Sequence, residues 1–183
     1  MESLKGYFLI ATPQMPDPRF AEKVVYICAH NEDGALGIVI NEPLNDITLA
    51  DIMLNAELAL PAKKLPHLYL GGPVETDSAF FLYSSEYRLP QFIEVSGSVC
   101  LSSDPQILYD LSRDQGPQLL LPSLGYSGWG SGQLENELSV DGWLTLPGSD
   151  EIIFKTSDRL KWQKAAELFG IDISLYGDIT GSA

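Results

Sequence analysis

Cysteine is scarce: Cys28 and Cys100 are the only two in 183 residues. Two thiols so far apart cannot make a disulfide framework or a four-ligand zinc site. Free thiols suit a reducing compartment, and a cytoplasmic location is expected. The opening Met1 to Gly6 is not followed by the apolar core and small-residue cleavage site of a signal peptide, and no run approaches the ~18 apolar residues of a membrane span. Positive charge is also short, with 11 Lys and Arg against 25 Asp and Glu and a formal net charge of -14. Between residues 65 and 154 only Arg88 and Arg113 face twelve acidic residues. Such a chain repels polyanions, so nucleic acid is not an expected partner. The one basic group near the C-terminus, Lys155, Arg159, Lys161 and Lys164, is interleaved with Asp158 and Glu167 and reads as a solvated helix face. Histidine is limited to His30 and His67, neither in a recognisable position for a base. Ser127 has Gly125 two residues before it but Trp129 two after, so it fails the nucleophile-elbow pattern.

What is present is globular: 45% of residues are hydrophobic and 20% charged, enough for one core, and residues 1–183 are expected to form a single domain. Lys5 to Ala11 reads as a strand running into the proline-rich loop Thr12 to Pro18. Val24 to His30 and Ala35 to Asn41 read as a hairpin closed by Asn31-Glu32-Asp33-Gly34. Apolar residues on both parities of that hairpin predict that both of its faces are covered and that it is central to a sheet. Further strands are expected at Leu68 to Leu70, Ala79 to Ser84, Phe92 to Leu101 with a break at Gly97, Gln118 to Leu121, Trp143 to Leu146 and Glu151 to Lys155.

Helical spacing is found in three main places. Thr48 and Asp51 form a capping-box pattern ahead of a helix that Pro61 closes. Asp104-Pro105 starts a second, with Ile107, Leu108 and Leu111 facing inward. Ser157 to Phe169 forms a third with Trp162, Ala165, Ala166 and Phe169 as its buried stripe, ended by Gly170. Strands outnumber helices and do not alternate with them, which predicts an α+β fold with a curled, mainly antiparallel sheet and about three main helices packed on it.

The densest unusual segment is Gly125-Tyr126-Ser127-Gly128-Trp129-Gly130-Ser131-Gly132-Gln133-Leu134-Glu135. Four glycines in eight residues imply turns or close approaches, followed by a short helix with Ser131 as its cap. Free backbone N–H groups there could cradle a phosphate or carboxylate, although neither the P-loop nor the dinucleotide fingerprint is present. Cys28 and His30, two apart on one strand, would leave the same face, where an imidazole could activate the thiol. The plainer alternative is a buried Cys28 and a strand-end His30. His30-Asn31-Glu32-Asp33 has ligand-type residues in what is otherwise an ordinary polar turn, and no metal is expected. Gly71-Gly72-Pro73 marks a sharp turn, and Asn41-Glu42-Pro43 a strand exit from which Asn41 could present an amide to a ligand.

In order along the chain, Gly6, Leu9-Ile10-Ala11-Thr12-Pro13, Met15, Asp17-Pro18, Phe20, Cys28-Ala29-His30, Gly34 to Asn41, Gly71-Gly72-Pro73-Val74, Gly125 to Trp129, Gly132 to Glu135, Trp143-Leu144, Trp162 and Gly170-Ile171-Asp172 resemble the AlgH/YqgE family of bacterial proteins. Members are carried as uncharacterised and sometimes described as transcriptional regulators, through links to alginate control. The resemblance implies a bifurcated, mainly antiparallel sheet folded into a pseudo-barrel, and it brings no established catalytic residues. Where relatives often show Arg-Gly-Phe-Val-Leu-His after the Gly-Gly-Pro-Val motif, this chain has Ser78-Ala79-Phe80-Phe81-Leu82-Tyr83. The leading expectation is a non-enzymatic regulatory or adaptor protein that binds a protein or small ligand through Gly125 to Glu135. Its contact residues would be Asn41, Tyr126, Gly128, Trp129, Gly132, Gln133 and Glu135, with Trp129 as an apolar anchor. The alternative is an enzyme or redox sensor using Cys28 with His30, Asn41 and Glu135; no cofactor is expected in either case.

Overall fold

The computed structural model describes residues 2–140, 142–173 and 175. Among these the chain forms strands β1 (Tyr7–Ala11), β2 (Val24–Asn31), β3 (Gly34–Val39), β4 (Tyr69–Leu70), β5 (Val74–Ser84), β6 (Ile93–Glu94), β7 (Val99–Ser102), β8 (Leu120–Gly130) and β9 (Trp143–Pro147). Four α-helices accompany them: α1 (Leu49–Asn55), α2 (Gln106–Ser112), α3 (Gln133–Ser139) and α4 (Asp158–Glu167). A 3-10 turn at Pro18–Phe20 and a π-helical turn at Glu151–Lys155 complete the list.

The sheet runs β6-β7-β5-β8-β3-β2-β1-β9, and every pairing is antiparallel except that of β4, which lies parallel to β8. β2 and β3 are interior, as their two-sided apolar pattern requires. Their connection is tight because Gly34 sits at φ 138, where a Cβ would be driven into the Trp129 carbonyl oxygen. On one face, Phe8, Ile10, Val24, Tyr26 and Ile38 pack beneath Ile152 and Ile153 of the π-helical turn and Ala165 and Ala166 of α4. On the other, Leu9, Val25, Ile27 and Val39 pack with Trp129, Trp143 and Leu134 of α3. A third cluster joins Leu49 and Met53 of α1 and Ile107 of α2 to Phe81, Tyr83 and Cys100. Each such fully buried aliphatic contributes about 1.5–3 kcal/mol, so covering both faces is what fixes the register.

Several expectations are corrected. No pairing among the described residues joins the edge strands β6 and β9, so the sheet is open and the curled pseudo-barrel does not form. The face that a barrel would bury against its own far wall is instead covered by the π-helical turn and α4. Among the described residues α-helices number four, not about three, since the short helix after the glycine segment is as long as α1 and α2. The glycine segment up to Gly130 is not a turn but the second half of β8. It pairs with β3 from Gly34↔Gly130 to Gly37↔Ser127, while the first half pairs with β5. Glu151 to Lys155 is helical rather than extended, with Ile152 and Ile153 both buried. On α4, Phe169 is 41% exposed and lies past the helix end, whereas Lys161 is buried at 1% exposure, so the basic group is not a uniformly solvated face.

The start signals hold more closely. Thr48 Oγ1 accepts from the Asp51 N–H (3.2 Å) while Asp51 Oδ2 accepts from the Thr48 N–H (2.8 Å), the reciprocal pair that a capping box requires. Asp104 Oδ1 accepts from the Gln106 N–H (2.9 Å) at the start of α2.

Candidate functional site

A β-bulge decides the fate of the cysteine and histidine pair. In the β2–β3 ladder Ile27 faces Gly37 but Ala29 faces Leu36, so Cys28 is the extra residue and side-chain parity reverses after it. Cys28 points into the cluster under α4 at 0% exposure, and its Sγ donates to the Tyr26 carbonyl at 3.4 Å. Burial pushes its thiol far up, the opposite of what a nucleophile needs. His30 emerges on the other face. The Leu4 N–H donates to Nδ1 (3.0 Å), which requires a lone pair there, so the proton is on Nε2 and donates to Glu135 Oε1 at 2.7 Å. The same-face geometry expected from spacing two is therefore absent, and Cys28 and His30 cannot act together.

The remaining expected residues divide between the two faces. Glu135, Gln133 and Gly132 belong to α3 and its start, where Gly132 takes φ 70 as the cap. The expected cap, Ser131, donates its hydroxyl to the Glu32 carbonyl instead (2.7 Å). Glu135 is held below the usual carboxylate range by its own backbone N–H and then by His30. Gln133 is fully engaged, its Oε1 accepting from the Gly130 N–H (3.0 Å) and its Nε2 donating to Glu137 Oε1 (3.0 Å). Trp129 is 6% exposed, so it is an internal pillar and not an exposed anchor. Its indole Nε1 donates to Glu137 Oε2 at 2.9 Å, and the Trp143 indole donates to the same oxygen at 3.1 Å. Asn41 joins none of these groups. Its Oδ1 accepts from the Val24 N–H and its Nδ2 donates to the Glu22 carbonyl, both at 2.9 Å, which makes it a bracket on β2.

Tyr126 and Gly128, on the opposite side of β8 from the Trp129 ring, do share a concave surface. A hollow of about 460 Å³ has Ala29, Leu36, Val74 and Tyr126 as its apolar lining, with Asn31 and Asp33 at the hairpin end. Tyr126 packs edge-on against Phe80 at 5.3 Å between centroids. Phe80 and Leu36 continue into a second hollow of about 300 Å³ with Phe92, Ile93 and Leu101.

A buried charge cluster was missed by the sequence reading. Lys161 Nζ donates to the Ile40 carbonyl (2.7 Å), pairs with Asp158 Oδ1 (3.0 Å) and lies over the Tyr69 ring at 4.9 Å. The Tyr69 hydroxyl donates to the same Asp158 oxygen (2.8 Å), and His67 Nδ1 stands 3.4 Å from the other. Desolvation lowers the Lys161 pKa, opposed by Asp158, and raises that of Tyr69, where Asp158 adds to it. The available signal was the spacing of Lys161 from Ala165, one helical turn apart on the buried face. Among the described residues no group of three or more His, Cys, Asp or Glu is placed to hold a metal ion. No helix among them is long and apolar enough to cross a membrane.

The geometry can be set beside known proteins. The AlgH-like family model matches residues 8–174. A UPF0301 protein of Desulfotalea psychrophila is 41% identical over 181 residues, covering 99% of this chain and 95% of that one. A UPF0301 protein of Hahella chejuensis is 42% identical over 183 residues, covering 100% and 98%. The solution structure of the AlgH protein from Pseudomonas aeruginosa superposes with a TM-score of 0.80 at 39% identity, over 99% of this chain and 96% of that one. The crystal structure of protein DIP2367 from Corynebacterium diphtheriae gives a TM-score of 0.74 at 18% identity, over 98% and 93%, a likeness of fold alone. On the match to its family model and to these relatives, the chain belongs to the AlgH-like, UPF0301 family.

Proposed function

We propose that this protein is a non-enzymatic regulatory or adaptor protein, and that it holds a basic polypeptide segment in the hollow between the β2–β3 hairpin and β8. The observation that carries this reading is the hollow itself: an apolar lining of Ala29, Leu36, Val74 and Tyr126, with Asp33 at its rim. Val74 is 36% exposed there, Glu32 is exposed in the hairpin turn, and Glu75 and Asp77 are exposed along β5. An apolar lining within an acidic rim, on a chain of net charge -14, favours apolar side chains flanked by Lys or Arg. Tyr126 and Gly128 remain contact residues in this reading; Trp129, Asn41 and Gln133 become supports. The sealed thiol of Cys28 weighs against the redox alternative. The charge balance weighs against a direct DNA contact. A cytoplasmic setting goes with the reading, supported by two unpaired thiols.

The test is selection from a displayed peptide library, followed by titration with amide-shift mapping. Basic peptides with apolar residues should bind and move the amides of Leu36, Val74 and Gly128. Val74→Glu and Asp33→Lys should each weaken binding by roughly tenfold or more, a change of about 1.4 kcal/mol. Selected peptides that are acidic, or whose binding ignores both variants, would overturn the reading.

A further inference from the structure

A cleft of similar size lies elsewhere, between the chain leading into β4 and the chain leading into β8, with a volume of about 450 Å³. Its floor carries Leu111, Leu120 and Phe154, and its walls carry Pro61, Pro66 and Pro117. Proline fixes backbone φ, so these walls are preorganised without regular secondary structure. Lys63, Lys64 and His67 also line the cleft. In a chain with 25 acidic residues, neither Lys63 nor Lys64 has an ion-pair partner among the described residues.

The nearby acids are already engaged. Asp114 accepts from the backbone N–H groups of Ala62 and Lys63 at 3.1 and 3.2 Å, which ties the lysine-bearing segment to the opposite wall. Asp158 is taken by Lys161 and Tyr69. The His67 ring is 69% exposed beside it. Two lysines without an acid partner, with His67 beside them on Asp158, set around an apolar floor, describe a ligand with two parts.

We infer that this cleft binds a small amphiphilic anion, with a phosphate or carboxylate head between Lys63, Lys64 and His67 and an aromatic or aliphatic body over Leu111, Leu120 and Phe154. The site is independent of the hollow beside Tyr126, and its success or failure leaves that reading untouched. Two ammonium groups attract the head electrostatically, and the floor gains by losing water to the body.

The experiment titrates the full chain with 1-naphthyl phosphate, 1-naphthol and inorganic phosphate, following amide shifts. The naphthyl phosphate should saturate below about 1 mM and move the amides of residues 63–65, 67, 118–120 and 154. The alcohol and inorganic phosphate should each bind at least roughly tenfold more weakly, because each lacks one half of the ligand. Lys63→Ala with Lys64→Ala, both at exposed positions, should weaken the naphthyl phosphate by a similar factor while leaving the rest of the spectrum in place. No saturation, equal affinity for the double variant, or equal affinity for inorganic phosphate would each overturn the assignment.

Discussion

Glu137 joins two buried tryptophans through one oxygen, and its removal should therefore cost more than an ordinary surface hydrogen bond. In Glu137→Ala, the indole N–H groups of Trp129 and Trp143, on residues 6% and 5% exposed, both lose their acceptor. A buried donor left unsatisfied costs about 1–3 kcal/mol, and Glu137 is only half-buried, so water can reach part of the gap. The lower half of that range applies to each donor, giving about 2–4 kcal/mol in total. For a chain of this size, about 3 kcal/mol lowers Tm by roughly 6–12 °C. Glu137→Gln keeps an acceptor oxygen and gives up the charge, so its cost should stay near 1 kcal/mol. Urea unfolding followed by tryptophan fluorescence measures both variants. The indole proton signals add a site-specific readout: those of Trp129 and Trp143 should shift together in Glu137→Ala. The Trp162 signal should stay put, because its Nε1 donates to the Ala11 carbonyl at 2.8 Å. A loss below about 1 kcal/mol in Glu137→Ala, or movement of only one of the two signals, would refute the shared-acceptor account.

Other consequences follow from the same geometry. Cys28 and Cys100 are both sealed at 0% exposure, so a thiol reagent should label neither in the native protein at neutral pH and both in urea; rapid native labelling of Cys28 would contradict the bulge geometry. Burial raises the Tyr26 phenol from its ordinary 10 to about 12, so the folded form keeps that proton where the unfolded chain releases it. The stability this gives is present below pH 10 and is lost as the pH climbs toward 12, by about 2–3 kcal/mol. Lys161, held below its ordinary 10.5, acts in the opposite sense, so the contribution is read as the difference between wild type and Tyr26→Phe in urea melts at several alkaline pH values. Lys161→Ala should cost about 3–5 kcal/mol by leaving Asp158 without its buried cation, and Lys161→Met, which keeps the stem but not the charge, nearly as much; a Met variant as stable as wild type would mean that the side chain acts through packing alone. Gly34→Ala should cost several kcal/mol, since the new Cβ would collide with the Trp129 carbonyl oxygen, and a stable variant would show that the hairpin can shift.

The fold was legible wherever local chemistry decides it. The Thr48 and Asp51 pair and the Asp104-Pro105 start rest on contacts within a few residues, as does the Asn31↔Gly34 closure of the hairpin, and each is found where the spacing puts it. The two-sided pattern of β2 and β3 was legible because burial on both faces leaves no polar parity. Gly125 to Gly130 was not, because its extended form depends on partners more than eighty residues away in sequence, at Gly34 to Gly37. Glycine is a poor strand former, so only the finished ladder makes this stretch a strand. The closed sheet failed for a similar reason: whether a face meets another strand or a helix is settled by long-range packing, and here the π-helical turn and α4 take that place.

The site was harder to read than the fold, and one residue accounts for much of the difference. Alternation along β2 puts Cys28 and His30 together, and a single extra residue puts them on opposite faces. The consequence spreads across the molecule. Because His30 faces α3, it meets Glu135, and the glycine-rich segment is secured from that side by His30, Gln133 and Glu137. The ring of Trp129 is drawn inward with them, which leaves Tyr126, Gly128 and Leu36 as the accessible surface of the same strands. Spacing along the chain pointed to the ring of Trp129, which the fold turns inward, and the proposed surface uses the other side of the same strand. Under the proposed function, recognition on β8 therefore falls to the face opposite the tryptophan ring, because the other face is filled by Leu134, Trp143 and the strand side chains.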